Sequence, residues 1–333
     1  MKKPKVTIVI VPRECFSRAQ RSLDSIVANT REPYELVYVD GNSPRSCKHY
    51  LQKQAKPLGM KVLRHEQYLT PNRARNIGWH EVQTKYTVFV DNDVVVTPGW
   101  LEKLVRCAEE TDAGIVGPLI CQKEPVHTEI HCAGGESGIR IENQNGSETR
   151  HFVERIYHQG RKIADMLPEY RRVQTGLTEF HCVLAQTDMM HTMGGLDEGL
   201  LSSKEHVDFS ITATSLNKAI FFELESVVTY LPGTLTWSDI PYYVLRWSDE
   251  WERQSLFHLR DKYGLSETGW LKNRLKHVGW RRRRFLISPW CRRMTFGLKV
   301  GLLENLFAMV ERPVNRMLTK RHYQIAAHNV VLS

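Results

Sequence analysis

No two of the cysteines form a Cys-x-x-Cys pair, and their number, seven scattered from Cys15 to Cys291, is odd. Neither a disulfide framework nor a zinc knuckle is supported, and a reducing, cytoplasmic setting is expected. The segment that follows the first apolar run reads Pro12-Arg13-Glu14 and lacks the glycines of a dinucleotide fingerprint or a phosphate loop. A nucleotide would have to be held in some other way. Nor is there a run of about 20 apolar residues of the kind that spans a bilayer. In the C-terminal region Arg292, Arg293, Lys299, Glu304 and Glu311 interrupt every candidate. Val6 to Val11 is too short for the apolar core of a signal peptide, so the chain is expected to start inside its first strand. Internal repeats and low-complexity segments are lacking as well.

What remains is ordinary globular material: 333 residues, 41% apolar and 25% charged, enough for one large domain with an appendage. The net charge of +9 is unevenly spread. Between Trp270 and Ser333 there are 14 Lys/Arg against two acids, Glu304 and Glu311. The rest of the chain carries 32 Lys/Arg against 35 Asp/Glu. A near-neutral body with a basic tail points to a polyanionic surface as the tail's partner.

Strand and helix signals alternate through the first part of the chain at the pace of a parallel α/β sheet. Val6–Val11, Tyr34–Val39, Lys61–Leu63, Tyr86–Val90 and Gly114–Ile120 read as strands. Ala19, Leu23, Ile26 and Val27 share one helical face, and 72–82 and 100–110 read as further helices. The polar stretch from Cys121 to Arg172 reads as a long excursion over a site. Beyond it a strand is expected at Phe180–Ala185, a turn at Gly194-Gly195, a helix from near Ser203, and a strand pair at Ala219–Glu223 and Ser226–Tyr230. A boundary near Leu231-Pro232-Gly233 divides the chain into a catalytic body, 1–232, an aromatic helical segment, 233–269, and a basic amphipathic helical tail, 270–333.

Ligands of open α/β sheets sit beyond the carboxyl ends of strands, and three such places are polar here. Asp40, before Gly41, either accepts hydrogen bonds from a nucleotide or caps a turn. Asp91-Asn92-Asp93 sets two carboxylates at a strand end, where both can face a hard divalent cation that keeps positions free for diphosphate oxygens. Glu205 and Asp208, three residues apart on a helix, share a face and suit a general base with an orienting partner. The alternative is an acidic first turn stabilised by the helix dipole.

Taken in order, an apolar first strand, Tyr34-Glu35-Leu36-Val37-Tyr38-Val39-Asp40-Gly41-Asn42-Ser43, Ala74-Arg75-Asn76-Ile77-Gly78, Val88-Phe89-Val90-Asp91-Asn92-Asp93, Gly194-Gly195-Leu196-Asp197-Glu198 and Glu205-His206-Val207-Asp208 resemble the family 2 inverting glycosyltransferases of GT-A fold over about residues 5–232. The resemblance implies an α/β fold with a mostly parallel central sheet flanked by helices, followed here by a helical C-terminal extension. It also implies a donor site of Pro12, Arg13, Glu14, Asp40, Arg75, Asn76, Asp91 and Asn92, with Asp91 and Asp93 presenting Mn²⁺ or Mg²⁺ to the diphosphate of a nucleotide-sugar, a UDP-sugar above all. A carboxylate would deprotonate a hydroxyl acceptor on a glycan, glycolipid or small molecule, in polysaccharide or glycolipid synthesis.

Two departures from the family pattern matter. The position that usually supplies the base is His206, which leaves Glu205, His206 and Asp208 all open, with Glu205 preferred as base, Asp208 as the acceptor's partner and His206 as their modulator. Where many members have a histidine after the last strand, this chain has Tyr230. His181 reads more readily as a buried, satisfied core histidine than as a site residue. The aromatic segment from Tyr242 to Trp251 reads as helix packing before it reads as an acceptor groove. The tail, with Trp280, Trp290, Arg281-Arg282-Arg283-Arg284 and a stripe of Leu303, Leu306, Phe307, Val310, Val314 and Met317, suits the inner face of an anionic bilayer. A sugar nucleotidyltransferase is the nearest rival, but it wants a Gly-rich basic loop after the first strand. A non-catalytic polyanion binder would use the tail and leave the acidic strand ends unexplained, so nucleic acid is not expected as a partner.

Overall fold

The computed structural model describes residues 3–144, 147–165, 172–232, 235–267, 269–298 and 301–331. Gly233 and Lys299, which enter the sequence argument, lie outside the described residues. The chain divides into two compact units. The first comprises residues 1–140, 152–198 and 204–233, and the second comprises 141–151, 199–203 and 234–333.

In the first unit β1 (Val6–Val11), α1 (Ala19–Asn29), β2 (Tyr34–Gly41), α2 (Arg45–Leu58), β3 (Lys61–His65), α3 (Pro71–Trp79) and β4 (Tyr86–Asp91) follow one another. The strands lie parallel in the order β3-β2-β1-β4. Every residue of β1 and β4 is buried, as expected of strands rich in β-branched and aromatic residues and covered on both faces. Parallel alignment brings the carboxyl ends of β1, β2 and β4 to one edge, where Val11 is in register with Asp91. Gly78 allows α3 to lie directly on β1, since a Cβ there would stand 2.3 Å from Val9 Cγ1. That close approach draws Arg75 and Asn76 under the strand ends.

The second half of the sheet is mixed. It adds β5 (Val94–Val96), α4 (Trp100–Thr111), β6 (Ile115–Gln122), β7 (Glu129–Cys132), β10 (Val173–Thr175), β11 (Cys182–Gln186), α5 (Thr187–Met193), α6 (Glu205–Ser215) and β12 (Ile220–Tyr230), with β8 (Gly135–Gln144) and β9 (Ser147–Ile156) forming a separate two-stranded sheet. Strand β11 inserts between β4 and β6, antiparallel to both. The start of β11 therefore meets the end of β4, where the Asp91 amide donates to the His181 carbonyl at 3.0 Å.

Several expectations need correction. The excursion from Cys121 to Arg172 is not irregular throughout, because it holds β7 against β6 and the β8–β9 ribbon. Its polar residues hid strands that are only half covered. The expected strand pair near Glu223 is one strand, β12, with a register shift between Glu223 and Val227. Helix α2, with only Cys47 and Leu51 buried, left too narrow an apolar stripe to be read. All seven cysteines are buried and unpaired.

In the second unit helices α7 (Ile240–Arg246), α8 (Asp249–Tyr263) and α9 (Trp270–Lys276) precede α10 (Trp280–Arg282), which runs through a π-helical turn, Arg283–Ile287, into α11 (Ser288–Met294), before the long α12 (Gly301–Val331). Arg282, 1% exposed, ties this unit together, donating to Glu311 at 2.8 Å, to Asp249 at 2.6 Å and to the Trp247 carbonyl. Asn315 on α12 bonds the Asp249 amide and the Val244 carbonyl. With these polar side chains buried, Leu302, Leu306, Met309, Val310 and Met317 of the same helix are exposed. Among the described residues no helix is long and apolar enough to cross a membrane.

Candidate active site

The edge formed by the ends of β1 and β4 carries a dense set of buried charges. Asp91 is wholly buried and gripped from two sides, by Arg13 Nη1 on Oδ2 at 3.0 Å and by Arg75 Nη2 on Oδ1 at 3.1 Å. Arg13 also stands 3.8 Å from Glu14 and 5.4 Å from the centre of the Tyr230 ring. Arg75 stacks over Phe180 at 4.0 Å and reaches within 3.9 Å of Glu205. Burial alone would lower the affinity of Arg13 for its proton, but Asp91 and Glu14 more than reverse this and hold the guanidinium charged.

Asp93 is different. It is also wholly buried, yet neither carboxylate oxygen has a hydrogen-bond partner. Burial foremost, and then the charge of Asp91, push its pKa well above the usual carboxylate range. An orphaned buried carboxylate is costly unless it is protonated, paired or bound to a metal. His181 lies beside it, 1% exposed, with Nδ1 3.3 Å from Asp91 Oδ2 and no hydrogen bond of its own. The His181 ring stacks on Tyr230 at 4.0 Å. Burial first, and then Arg13, lower its pKa well below the ordinary histidine value, so the imidazole is neutral. One ligand atom from each of Asp91, Asp93 and His181 lies within 4.8 Å of the others. Two guanidiniums, of Arg13 and Arg75, face four carboxylates, of Asp91, Asp93, Glu14 and Glu205. With both guanidiniums bonded to Asp91, Asp93 lacks a hydrogen-bonded cation, which a divalent ion would supply.

His181, expected to be a buried, satisfied core histidine, is buried, but its Nδ1 has no hydrogen bond. The available signal was its place at the start of a strand flanked by Glu179 and Cys182. What concealed its place beside Asp91 was the antiparallel insertion of β11, which sequence periodicity does not report.

Other expected donor-site residues have partners of their own. Asp40 accepts from the Ser43 amide at 2.9 Å and from Arg64 at 2.9 Å, the turn-capping arrangement. Asn76 donates to the Leu196 carbonyl at 2.8 Å and to Glu198 at 2.9 Å, and accepts from the Leu196 amide at 2.8 Å. Its amide braces the loop after Gly194-Gly195. Asn92 accepts from the Arg13 amide at 3.0 Å, which locks β1 to β4, and Pro12 packs 3.1 Å from where a Cβ on Gly41 would stand.

At the start of α6, Glu205 and Asp208 are both buried. His206 turns elsewhere: its Nε2 lies 3.1 Å from Glu154 and 3.5 Å from Glu179, and Glu154 also binds Lys204. Burial opposes the charged imidazole, but Glu179 and Glu154 outweigh it and raise the pKa. Sequence reasoning had no access to Glu154 and Glu179, which come from β9 and from the segment before β11.

Residues 7–162 match the model for glycosyl transferase family 2. That segment, just under half of the chain, is similar to family 2 glycosyltransferases. The chain is 27% identical over 126 residues to the probable polypeptide N-acetylgalactosaminyltransferase 8 of Homo sapiens, covering 35% of this chain and 20% of that protein. It is 30% identical over 117 residues to the O-antigen biosynthesis protein RfbC of Myxococcus xanthus, covering 34% of this chain and 9% of that one. The match therefore spans well under two thirds of either relative. The crystal structure of GalNAc-T7 with UDP, GalNAc and Mn²⁺ aligns with a TM-score of 0.53 at 15% identity, over 86% of this chain and 59% of that chain, which establishes the GT-A fold. The matched family 2 segment includes Arg75, Asp91 and Asp93, whereas His181, Glu205 and Asp208 lie beyond its end.

Proposed function

We propose that this chain is a divalent-metal-dependent, inverting glycosyltransferase that moves a sugar from a nucleotide-sugar, a UDP-sugar by preference, to a hydroxyl acceptor. The observation that carries the reading is the orphaned Asp93 carboxylate beside Asp91 at the end of β4, where both guanidiniums bond Asp91 and neither bonds Asp93. When bound there, a divalent metal neutralises the diphosphate as it leaves the anomeric carbon. Arg75, held by Asp91 and Phe180, keeps that carboxylate in place with no contribution from solvent. Asn76 fixes the loop that leads from Gly194 toward α6.

The acceptor oxygen bonds to the anomeric carbon as the bond to the diphosphate breaks, and its proton passes to a carboxylate. A single displacement inverts the centre. Glu205 suits the base, since it is a carboxylate at the start of α6 whose Oε1 stands 3.9 Å from Arg75 beside Asp91. His206, whose pKa Glu179 and Glu154 raise against the effect of burial, is directed at those two carboxylates and suits the task of anchoring the start of α6.

The apolar residues exposed on α12, together with Arg281, Arg283, Arg284, Arg292 and Arg293, support attachment to the surface of an anionic membrane, where a glycan or glycolipid acceptor would be met. The aromatic segment fits a structural role better than an acceptor groove, because Tyr242, Tyr243, Trp247 and Trp251 are all buried. Nucleotide release from UDP-, GDP- and dTDP-sugars with Mn²⁺, measured with and without candidate acceptors, tests the activity. Release that is unaffected by EDTA would refute its metal dependence.

A further inference from the structure

Tyr230 occupies the place after the last strand where a metal-binding histidine would be sought, and its hydroxyl donates to Glu14 Oε2 at 3.3 Å. A phenol in that bond is a poor ligand for a hard dication. The ring of Tyr230 instead supports the imidazole of His181 from one face, at 4.0 Å and 27° between planes, while His131 closes edge-on at 5.0 Å. The imidazole is thereby fixed with Nδ1 toward Asp91 and with no hydrogen bond to satisfy it. Both oxygens of Asp93 are equally unsatisfied. Asp91, by contrast, already has a guanidinium on each oxygen. The groups with ligand atoms that no hydrogen bond satisfies are therefore Asp93 and His181.

We infer that His181 is a metal ligand, supplying an imidazole nitrogen beside Asp93 and one oxygen of Asp91, and that this nitrogen biases the site toward Mn²⁺ over Mg²⁺. The inference rests on the divalent-metal reading proposed above. A set of oxygens alone serves Mg²⁺ well, whereas an imidazole favours the later, softer ion. Tyr230 is a positioning residue, since its ring holds the imidazole while its hydroxyl is turned to Glu14.

Pulsed electron paramagnetic resonance of Mn²⁺ added with UDP to the full chain reads the ligand directly. Hyperfine coupling to a directly bound nitrogen is expected, altered when histidine is labelled with ¹⁵N. It should be absent in His181→Gln and retained in His131→Gln. Mn²⁺ affinity, followed by the fall of the free-ion signal, should drop at least about tenfold in His181→Gln, and the preference over Mg²⁺ should shrink with it. Tyr230→Phe keeps the ring and should keep the coupling. Mn²⁺ that binds at a site requiring Asp93 but shows no nitrogen coupling would overturn the role of His181 and leave the metal reading standing. Failure of Mn²⁺ to bind, with UDP present, would overturn both. The labelled wild-type spectrum decides the matter even if His181→Gln does not fold.

Discussion

Replacing Asp93 by Asn removes the charge from a wholly buried carboxylate that has no hydrogen-bond partner, and two opposite effects follow. Without metal, the wild-type protein bears the cost of desolvating that group, on the order of 1–3 kcal/mol for an unsatisfied buried polar group and more when it is charged. The sign follows from the raised pKa: the folded carboxyl holds its proton to higher pH than the unfolded one. The cost is therefore absent below the unfolded pKa, grows as pH rises toward the folded pKa, and is complete above it. In EDTA, Asp93→Asn should thus melt higher than wild type, by several degrees if about 1 kcal/mol is worth roughly 2–4 °C in a domain of this size, with the gap widest at alkaline pH. With metal the ranking reverses. Mn²⁺ at about 100 times its dissociation constant should stabilise the wild type by about 2.7 kcal/mol and leave Asp93→Asn nearly unmoved, while transfer falls by orders of magnitude. Differential scanning fluorimetry across pH, with EDTA or with Mn²⁺ and UDP, reads both effects. A variant that melts lower than wild type in EDTA at alkaline pH would show that the carboxylate has a partner after all. An unchanged Mn²⁺ shift in the variant would remove Asp93 from the metal site.

Glu205→Gln should lower turnover by orders of magnitude at saturating donor with donor affinity preserved, whereas His206→Asn should cost far less; the reverse ranking would give the base to His206. Because the pKa of His206 is raised by Glu179 and Glu154 against the effect of burial, with Lys204 opposing them, the stability it adds is fully present below the unfolded histidine pKa and is lost as pH rises through the folded one. The stability gap between wild type and His206→Asn, measured by denaturant titration, should therefore narrow above neutrality, and a gap independent of pH would contradict the paired imidazolium. Arg75→Met leaves Asp91 with one guanidinium and should destabilise the protein by about 3–5 kcal/mol, as expected when a buried pair is broken; a loss under 1 kcal/mol in the same titration would mean that the pair is solvated. Removing the tail at residue 270 would expose the partners of Arg282 and Asn315, so the membrane reading is better tested with Leu302→Ser, Leu306→Ser and Met309→Ser together. These should weaken binding to anionic vesicles by roughly tenfold or more, given about 0.8 kcal/mol per buried methylene. Wild-type binding should also fall with salt, and equal sedimentation of both proteins with vesicles would end the proposal.

Much of the first unit could be read from local pattern, because its strands β1, β2 and β4 are unbroken apolar runs and each ends in a polar turn. Parallel α/β connection then forces those turns to one edge, so the presence of Asp40, Asp91 and Asp93 at one edge of the sheet follows from strand pattern, whereas Arg75, in the middle of α3, was implied only by the family resemblance. Local pattern could not say which of these residues already have partners. Asp40 is held by Arg64 and the Ser43 amide, and Asn76 by the loop at Leu196, while Asp93, chemically the same as Asp91, has no partner. Nor could it bring His181 to Asp91, or Glu154 and Glu179 to His206, since those pairings arise from an antiparallel strand inserted out of sequence order and from a ribbon without apolar periodicity. Residue type and spacing set which groups can ionise and which end of a strand they occupy. Their protonation and their freedom to bind a ligand depend on desolvation and on neighbours distant in sequence, 216 residues apart for Glu14 and Tyr230, and only the tertiary structure decides those.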